Sequence, residues 1–265
     1  MWLRTSCYLE FDITVPTPFI FMLRPRSGAQ QWIASEEYIH QPSVPITEFT
    51  DNYGNLCQRL IAQPGTFSIS TISVVQTNEY SDSAPGAPFI DIDLLPDSTL
   101  SYLLPSRYCE SDKFLTLAAE ISQGCLLGYD QVAAITRWIR NTIRYETVGS
   151  ETLLSAAEVN QRGCGVCRDL AHIGIALCRS LSIPARLVVG YLYQLQPMEL
   201  HAWFEAYVGG RWYTFDATQA DLRGGYVTIG YGRDAADVAV FNQFGPPSYP
   251  TQTRVEVELM PAKNE

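Results

Sequence analysis

Gly163-Cys164-Gly165-Val166-Cys167-Arg168-Asp169-Leu170-Ala171-His172 runs a glycine-rich turn into a helical pattern and sets a cysteine where the helix should begin. Leu170, Ala171, Ile173, Leu177, Cys178 and Leu181 recur at the spacing of one helix face, which predicts a helix to about Ser182, ahead of Pro184. A thiol at a helix N-terminus lies beside unpaired N–H groups and the positive end of the dipole, which favours thiolate. The same N–H groups suit an oxyanion formed when a thiolate attacks a carbonyl. A lone helix cysteine is ordinarily packing, so the assignment of Cys167 as a nucleophile turns on what else the chain brings to it.

Only three histidines occur, and His201 stands on a predicted hairpin. With Gly209-Gly210 as the loop, Val208 faces Arg211, Trp203 faces Asp216 and His201 faces Thr218. His201 and Asp216 are then diagonal neighbours on one face, within reach of a side-chain hydrogen bond. A slip of one residue would put them on opposite faces. Thiol, imidazole and carboxylate in these positions describe nucleophilic catalysis: His201 takes the proton of Cys167, and Asp216 orients the ring and favours its charged form.

Other readings compete for the same residues. Cys164 and Cys167 make a Cys-x-x-Cys pair, the spacing of redox and zinc sites. No second pair follows, so Cys164 reads as a non-catalytic neighbour that can be oxidised onto Cys167, Cys178 reads as core, and no metal or other cofactor is called for. His172 points about 140° away from Cys167 on a helix of 3.6 residues per turn, and reads as a packed histidine. Asp169 suits the dipole of the first turn. Arg168, Trp203 and Tyr191 are candidate substrate contacts, although aromatics in strands are usually packing; Trp203 also suits a shield over the His201–Asp216 bond. Asp234 and Asp237 without a ligand loop read as a helix N-terminus rather than a calcium site.

These residues need elements to hold them. Up to about residue 80 the pattern is antiparallel strand: Cys7, Leu9, Phe11 and Ile13 alternate with Tyr8, Glu10 and Asp12, and Phe19 to Leu23 forms a short apolar strand. Asp51-Asn52-Tyr53-Gly54-Asn55 turns between Ile46–Phe49 and Leu56–Ala62, and Gln63-Pro64-Gly65 leads into Phe67–Gln76. The apolar phase of that strand shifts between Ile69 and Ile72, which predicts a bulge. His40, near a proline-containing loop, reads as a surface or structural histidine. Residues 81–105 are rich in Ser, Pro, Gly and Asp and read as a linker.

Helices follow. One is capped by Ser111 and closed near Gly124, a second is capped by Asp130 with Val132, Ile135, Trp138, Ile139 and Ile143 on its apolar face, and a third is capped by Ser155. Arg137, Arg140 and Arg144 read as solvent-facing. After Pro184 the period becomes two: Arg186–Tyr193, His201–Val208, Arg211–Ala217, Tyr226–Ile229 and a closing strand at Arg254–Leu259. The expectation is an α+β chain, with a β-sandwich-like domain over residues 1–100 and a helices-then-sheet catalytic domain over residues 101–265.

A net charge of −10 argues against nucleic acid and against an anionic membrane surface as partners, since both select basic patches. No run approaches the roughly 20 apolar residues of a membrane helix. Met1-Trp2-Leu3-Arg4 leads straight into strand sequence rather than an export signal, and the seven cysteines lack framework spacing. A cytoplasmic protein with reduced thiols is expected.

The blocks Gly163 to His172, Ile183-Pro184-Ala185-Arg186-Leu187-Val188-Val189-Gly190-Tyr191, His201-Ala202-Trp203-Phe204-Glu205-Ala206-Tyr207 and Trp212-Tyr213-Thr214-Phe215-Asp216-Ala217-Thr218 resemble the core of the bacterial transglutaminase-like superfamily. The region before them is similar to the N-terminal domain of many bacterial members, and Gly230 to Val238 resembles the segment that follows the core. The resemblance implies a papain-like fold with Cys167, His201 and Asp216 as the triad. It implies a peptide or protein substrate carrying an amide or glutamine side chain. Amide hydrolysis through a thioester is the first expectation and transglutaminase acyl transfer to amines the alternative; a non-catalytic binding module is the remaining class.

Overall fold

The structure, a computed structural model, describes residues 1–147 and 152–261. Alternation makes the first strand: in β1 (Trp2–Ile13) Leu3, Thr5, Cys7, Leu9, Phe11 and Ile13 all turn inward. β2 (Thr17–Arg24), β3 (Gln31–Gln41), β4 (Thr47–Thr50), β5 (Leu56–Ala62) and β6 (Gly65–Thr77) follow. Next come α1 (Asp97–Leu100), α2 (Leu115–Ile121), α3 (Tyr129–Thr142), the two-residue strand β7 (Arg144–Tyr145), α4 (Ala156–Arg162), its short parallel partner β8 (Cys164–Gly165) and α5 (Cys167–Ser180). The chain then runs through β9 (Ala185–Leu192), β10 (His201–Val208), β11 (Arg211–Phe215), β12 (Tyr226–Gly232), β13 (Phe241–Gln243) and β14 (Gln252–Leu259).

Three four-stranded antiparallel sheets result, ordered β14-β1-β6-β3, β13-β2-β5-β4 and β11-β10-β9-β12. The first two pack face to face through phenylalanines: the ring of Phe11 lies 5.2 Å from both Phe19 and Phe241, and Phe67 closes on Phe19 and Phe21. The third sheet carries α5 on one face. Mixed helices and antiparallel sheets with a sheet-rich N-terminal region are the expected α+β class.

Two local expectations are corrected, and one strand was not anticipated. β6 pairs with β1 in unbroken register from Gln76 to Gly65, so no bulge separates Ile69 from Ile72. Thr71 and Ser73 instead take inward positions, and the Thr71 hydroxyl lies 3.5 Å from the Tyr191 hydroxyl; the phase of the strand follows a polar contact. β3 is an edge strand, mostly exposed, that the apolar pattern did not reveal; His40 sits in it, its Nε2 3.0 Å from the Val44 carbonyl. Residues 254–259 close a different sheet from the one expected. β14 pairs with β1, Leu3 opposite Leu259, and β13 pairs with β2, Phe241 opposite Phe21. The helical core and its sheet are therefore inserted into the sandwich.

The sandwich grips the core by an unpaired strand edge. On β12 the Thr228 N–H donates to Gln31 Oε1 (2.7 Å) and Gln31 Nε2 donates to the Thr228 carbonyl (2.8 Å). Asn55 repeats the pattern on Tyr231, at 2.7 and 2.8 Å, with its own amide braced by Asp51. Two side-chain amides thus stand in for a neighbouring strand and satisfy an edge that would otherwise invite pairing. Asn55 is fully buried. Asn55→Ala leaves the Tyr231 N–H and carbonyl without these partners, and should cost about 1–3 kcal/mol in urea unfolding at an unchanged far-UV spectrum; an unmoved midpoint would show that this edge contact is dispensable.

Candidate active site

Cys167 is placed by what stops the preceding helix and starts the next. Ser155 and Glu158 form a capping box at the start of α4, and Gly163, at φ 69°, ends that helix in the left-handed region. Cys164 and Gly165 then lie alongside Arg144 and Tyr145, and Val166 is extended. The Asp169 carboxylate accepts the Val166 N–H at 3.1 Å, which caps α5 from its third residue. A Cβ on Gly165 would fall 2.8 Å from Asp169 Cβ, so the chain passes there only as glycine. From Asp169 to Arg179 every residue of α5 is buried, and Gly174 lets Phe204 of β10 approach to where a Cβ would stand, 2.6 Å from its ring. The helix is locked among α2, α3, α4 and the sheet, and its first residue opens onto solvent: Cys167 is half-buried.

The hairpin has the expected register, with Val208 opposite Arg211 and Phe204 opposite Phe215, through Gly209 and Gly210 at positive φ. Just beyond the last pair, His201 Nε2 meets Asp216 Oδ2 at 2.7 Å, both side chains almost fully buried. Nε2 being engaged, Nδ1 is the ring nitrogen left for Cys167. Burial alone would lower the His201 pKa; the hydrogen bonds to Asp216 and to Cys167, with the charges behind them, override it and raise the value from 6.5 to about 10. Burial would likewise raise that of Asp216, but its bonds from His201 and Thr218 bring the carboxyl below its usual range.

Asp216 receives four hydrogen bonds. Besides that from His201, Oδ1 accepts from the Thr218 N–H (2.9 Å) and hydroxyl (2.7 Å), and Oδ2 accepts from the Tyr226 hydroxyl (2.9 Å). Tyr226 itself is pushed up, by burial first and then by the carboxylate. The loop that carries these atoms is clamped by Arg140 of α3, whose guanidinium donates to the carbonyls of Asp216 (3.2 Å), Ala217 (3.3 Å), Gln219 and Ala220 (2.9 Å). Arg140 was expected to face solvent; the correction follows from α3 packing beside β11. Neither Tyr226 nor Arg140 has a sequence signal. Thr218 does, since a hydroxyl two residues after an aspartate commonly closes a local turn.

The candidate substrate contacts divide. Arg168 lines the cleft that contains Cys167 and donates to Asp169 Oδ1 (3.2 Å) and the Thr152 carbonyl (3.3 Å). Trp203 is 1% exposed, stacked on His201 at 6.0 Å and edge-on to Tyr226 at 4.9 Å, so it covers the histidine rather than meeting substrate. Tyr191 is equally buried, turned towards Thr71 of the sandwich, and is no substrate contact. Tyr145 lies near Cys167, its hydroxyl donating to Glu199 at 3.3 Å; its pKa is pushed up by burial first and then by the nearby Cys167.

The remaining candidates are packed. His172 is fully buried as a neutral ring, Nδ1–H donating to the Leu154 carbonyl (2.9 Å) and Nε2 accepting from the Ala235 N–H (3.2 Å), with burial lowering its pKa. Asp234 accepts from the Ala236 and Tyr108 N–H groups, and Asp237 pairs with Arg233 and Tyr53. Among the described residues no group of three metal-ligating side chains converges. Burial pushes the Cys57 thiol up to about 11 and Cys7 to about 12, and Cys109 and Cys178 likewise upward.

Residues 115–217, which contain Cys167, His201 and Asp216, match the model of the transglutaminase-like superfamily core. The crystal structure titled as that of "a Putative Cysteine Protease from Cytophaga hutchinsonii" is 38% identical and superposes at a TM-score of 0.89, covering 97% of this chain and 90% of that one. An uncharacterized protein of Mycobacterium leprae is 26% identical over 233 residues, 82% of each chain.

A histidine that binds its proton more tightly folded than unfolded stabilises the fold below the unfolded pKa, and this stability is lost as pH rises through the folded pKa. The stability difference between the wild type and His201→Gln should therefore shrink between pH 6.5 and about 10. Tyr226→Phe, which removes one donor from Asp216, should shift where that loss ends. Urea midpoints across this range read both effects, and a pH-independent difference would dissolve the buried ion pair.

Proposed function

The chain belongs to the transglutaminase-like superfamily, and from that membership we propose that it is a thiol-dependent amide hydrolase, a cysteine peptidase acting on a peptide or protein through Cys167, His201 and Asp216. The observation that carries the reading is the buried His201–Asp216 bond, with Cys167 beside it at a helix N-terminus in one cleft. The description of the 38% identical relative as "a Putative Cysteine Protease" favours hydrolysis over acyl transfer in this reading. A cytoplasmic setting, with the seven thiols kept reduced, is part of this reading.

Cys167 Sγ attacks the amide carbonyl carbon, and the π pair moves to oxygen, where backbone N–H groups at the start of α5 receive it. Collapse of this adduct breaks the C–N bond. The departing amine takes the proton held on His201 and leaves a thioester on Cys167. His201, now neutral, removes a proton from water; the hydroxide attacks the thioester, and the acid departs as Cys167 regains its starting state. Asp216 keeps the ring oriented through both halves and offsets its charge whenever it is protonated. Neither half calls on a metal.

Iodoacetamide at neutral pH should modify Cys167 fastest of the seven thiols, and His201→Ala should slow that reaction; faster labelling of Cys164 would move the nucleophile. On a panel of peptides and γ-glutamyl amides, the wild type should release free acid and Cys167→Ala none. Incorporation of a labelled amine into a glutamine substrate in place of acid release would identify an acyltransferase. Silence in both assays, with Cys167 reactive, would leave a binding module.

A further inference from the structure

The cleft of about 390 Å³ in which Cys167 and His201 meet has walls from two separate parts of the fold. Leu187, Val189 and Ala202 of the core sheet, with Leu200 just before β10, make one wall; Val240 and Phe241 make the other. The second wall belongs to the sandwich. The Val240 carbonyl accepts from the Met22 N–H at 2.8 Å, Phe241 pairs with Phe21, and its ring packs on Phe11 at 5.2 Å. An apolar surface is thereby carried to the thiol by β13, a strand that has no place in the core sheet.

The charges on this cleft are already answered. Arg168 is engaged by Asp169 and the Thr152 carbonyl, and His201 by Asp216, and no carboxylate is among the described lining residues. A charged substrate side chain entering between these walls would lose water and gain no counter-ion, whereas an aliphatic one would lose only apolar hydration. We propose that this cleft is the recognition pocket of the acyl donor, taking an uncharged branched aliphatic side chain close to the scissile carbonyl, with the N-terminal sandwich supplying one wall through β13. The proposal rests on Cys167 being the nucleophile.

Peptidyl acyloxymethyl ketones that differ only in a leucine, aspartate or lysine side chain at the pocket position test it, with iodoacetamide as the side-chain-free control. The leucine reagent should inactivate about tenfold faster than either charged one, the discrimination an apolar pocket commonly achieves. Val240→Asp should shift the lysine-to-leucine rate ratio towards lysine, and Leu200→Asp, on the opposite wall and outside the sandwich, should shift it the same way if the first variant does not fold. Equal rates for the three reagents, or a ratio unmoved by a folded variant, would overturn the pocket while leaving the nucleophile in place. Failure of iodoacetamide to modify Cys167 is a different result, which removes the nucleophile and the pocket with it.

Discussion

A carboxylate buried to 1% exposure survives as an anion only if the protein replaces the water it has lost, and that requirement at Asp216 organises much of the molecule. Its four donors come from three places: His201 from β10, the two Thr218 groups from the turn after β11, and Tyr226 from β12. No single element could supply them. The turn is held by Arg140 reaching over from α3, and β12 is held by Gln31 and Asn55 reaching in from the sandwich. A contact between two residues of one hairpin therefore depends on a helix and on the two sheets of the sandwich.

Cys167 is held by a different kind of constraint. On its side of the cleft the work is steric: Gly165 passes Asp169 and Gly174 passes Phe204 at distances that a methyl group would forbid. Eleven consecutive buried residues then fix the axis of α5 and, with it, the direction of its first turn. One half of the site is set by close packing, the other by hydrogen bonds, and they meet where Cys167 reaches His201. Burial that would strip a lone imidazole of its proton is overridden there by Asp216 and Cys167.

Several features that depend on neighbours in the chain were legible from the amino-acid sequence, but not all: Ser111 and Asp130, read as caps, give way to Phe114 and Gly128. The Ser155 cap, the glycine stop at Gly163 and the Gly209-Gly210 loop are local chemistry, and the parity that puts His201 and Asp216 on one face follows from the loop alone. Features that depend on partners far along the chain were not. β3 lies at an edge with both faces largely exposed, so it has no apolar alternation to read. The pattern of β14 announces a strand but not its sheet. Tyr191 and Trp203 carry residue types common in binding clefts and in cores alike, and only the packing of the sandwich and of Tyr226 decides for the core.

The return of β14 to β1 has a consequence for the order in which the molecule can be made. Arg4 meets Glu258 across 254 positions of sequence, so one flank of β1 stays open until the far end of the chain arrives. Closing so long a loop is entropically slow, and an open flank on an apolar strand is a template for the wrong neighbour. The core, whose helices and hairpin make mostly nearer contacts, has time to consolidate first. It would then act as a clasp that brings the two halves of its own host domain together, and maturation of the sandwich would report that the core between them has been threaded correctly.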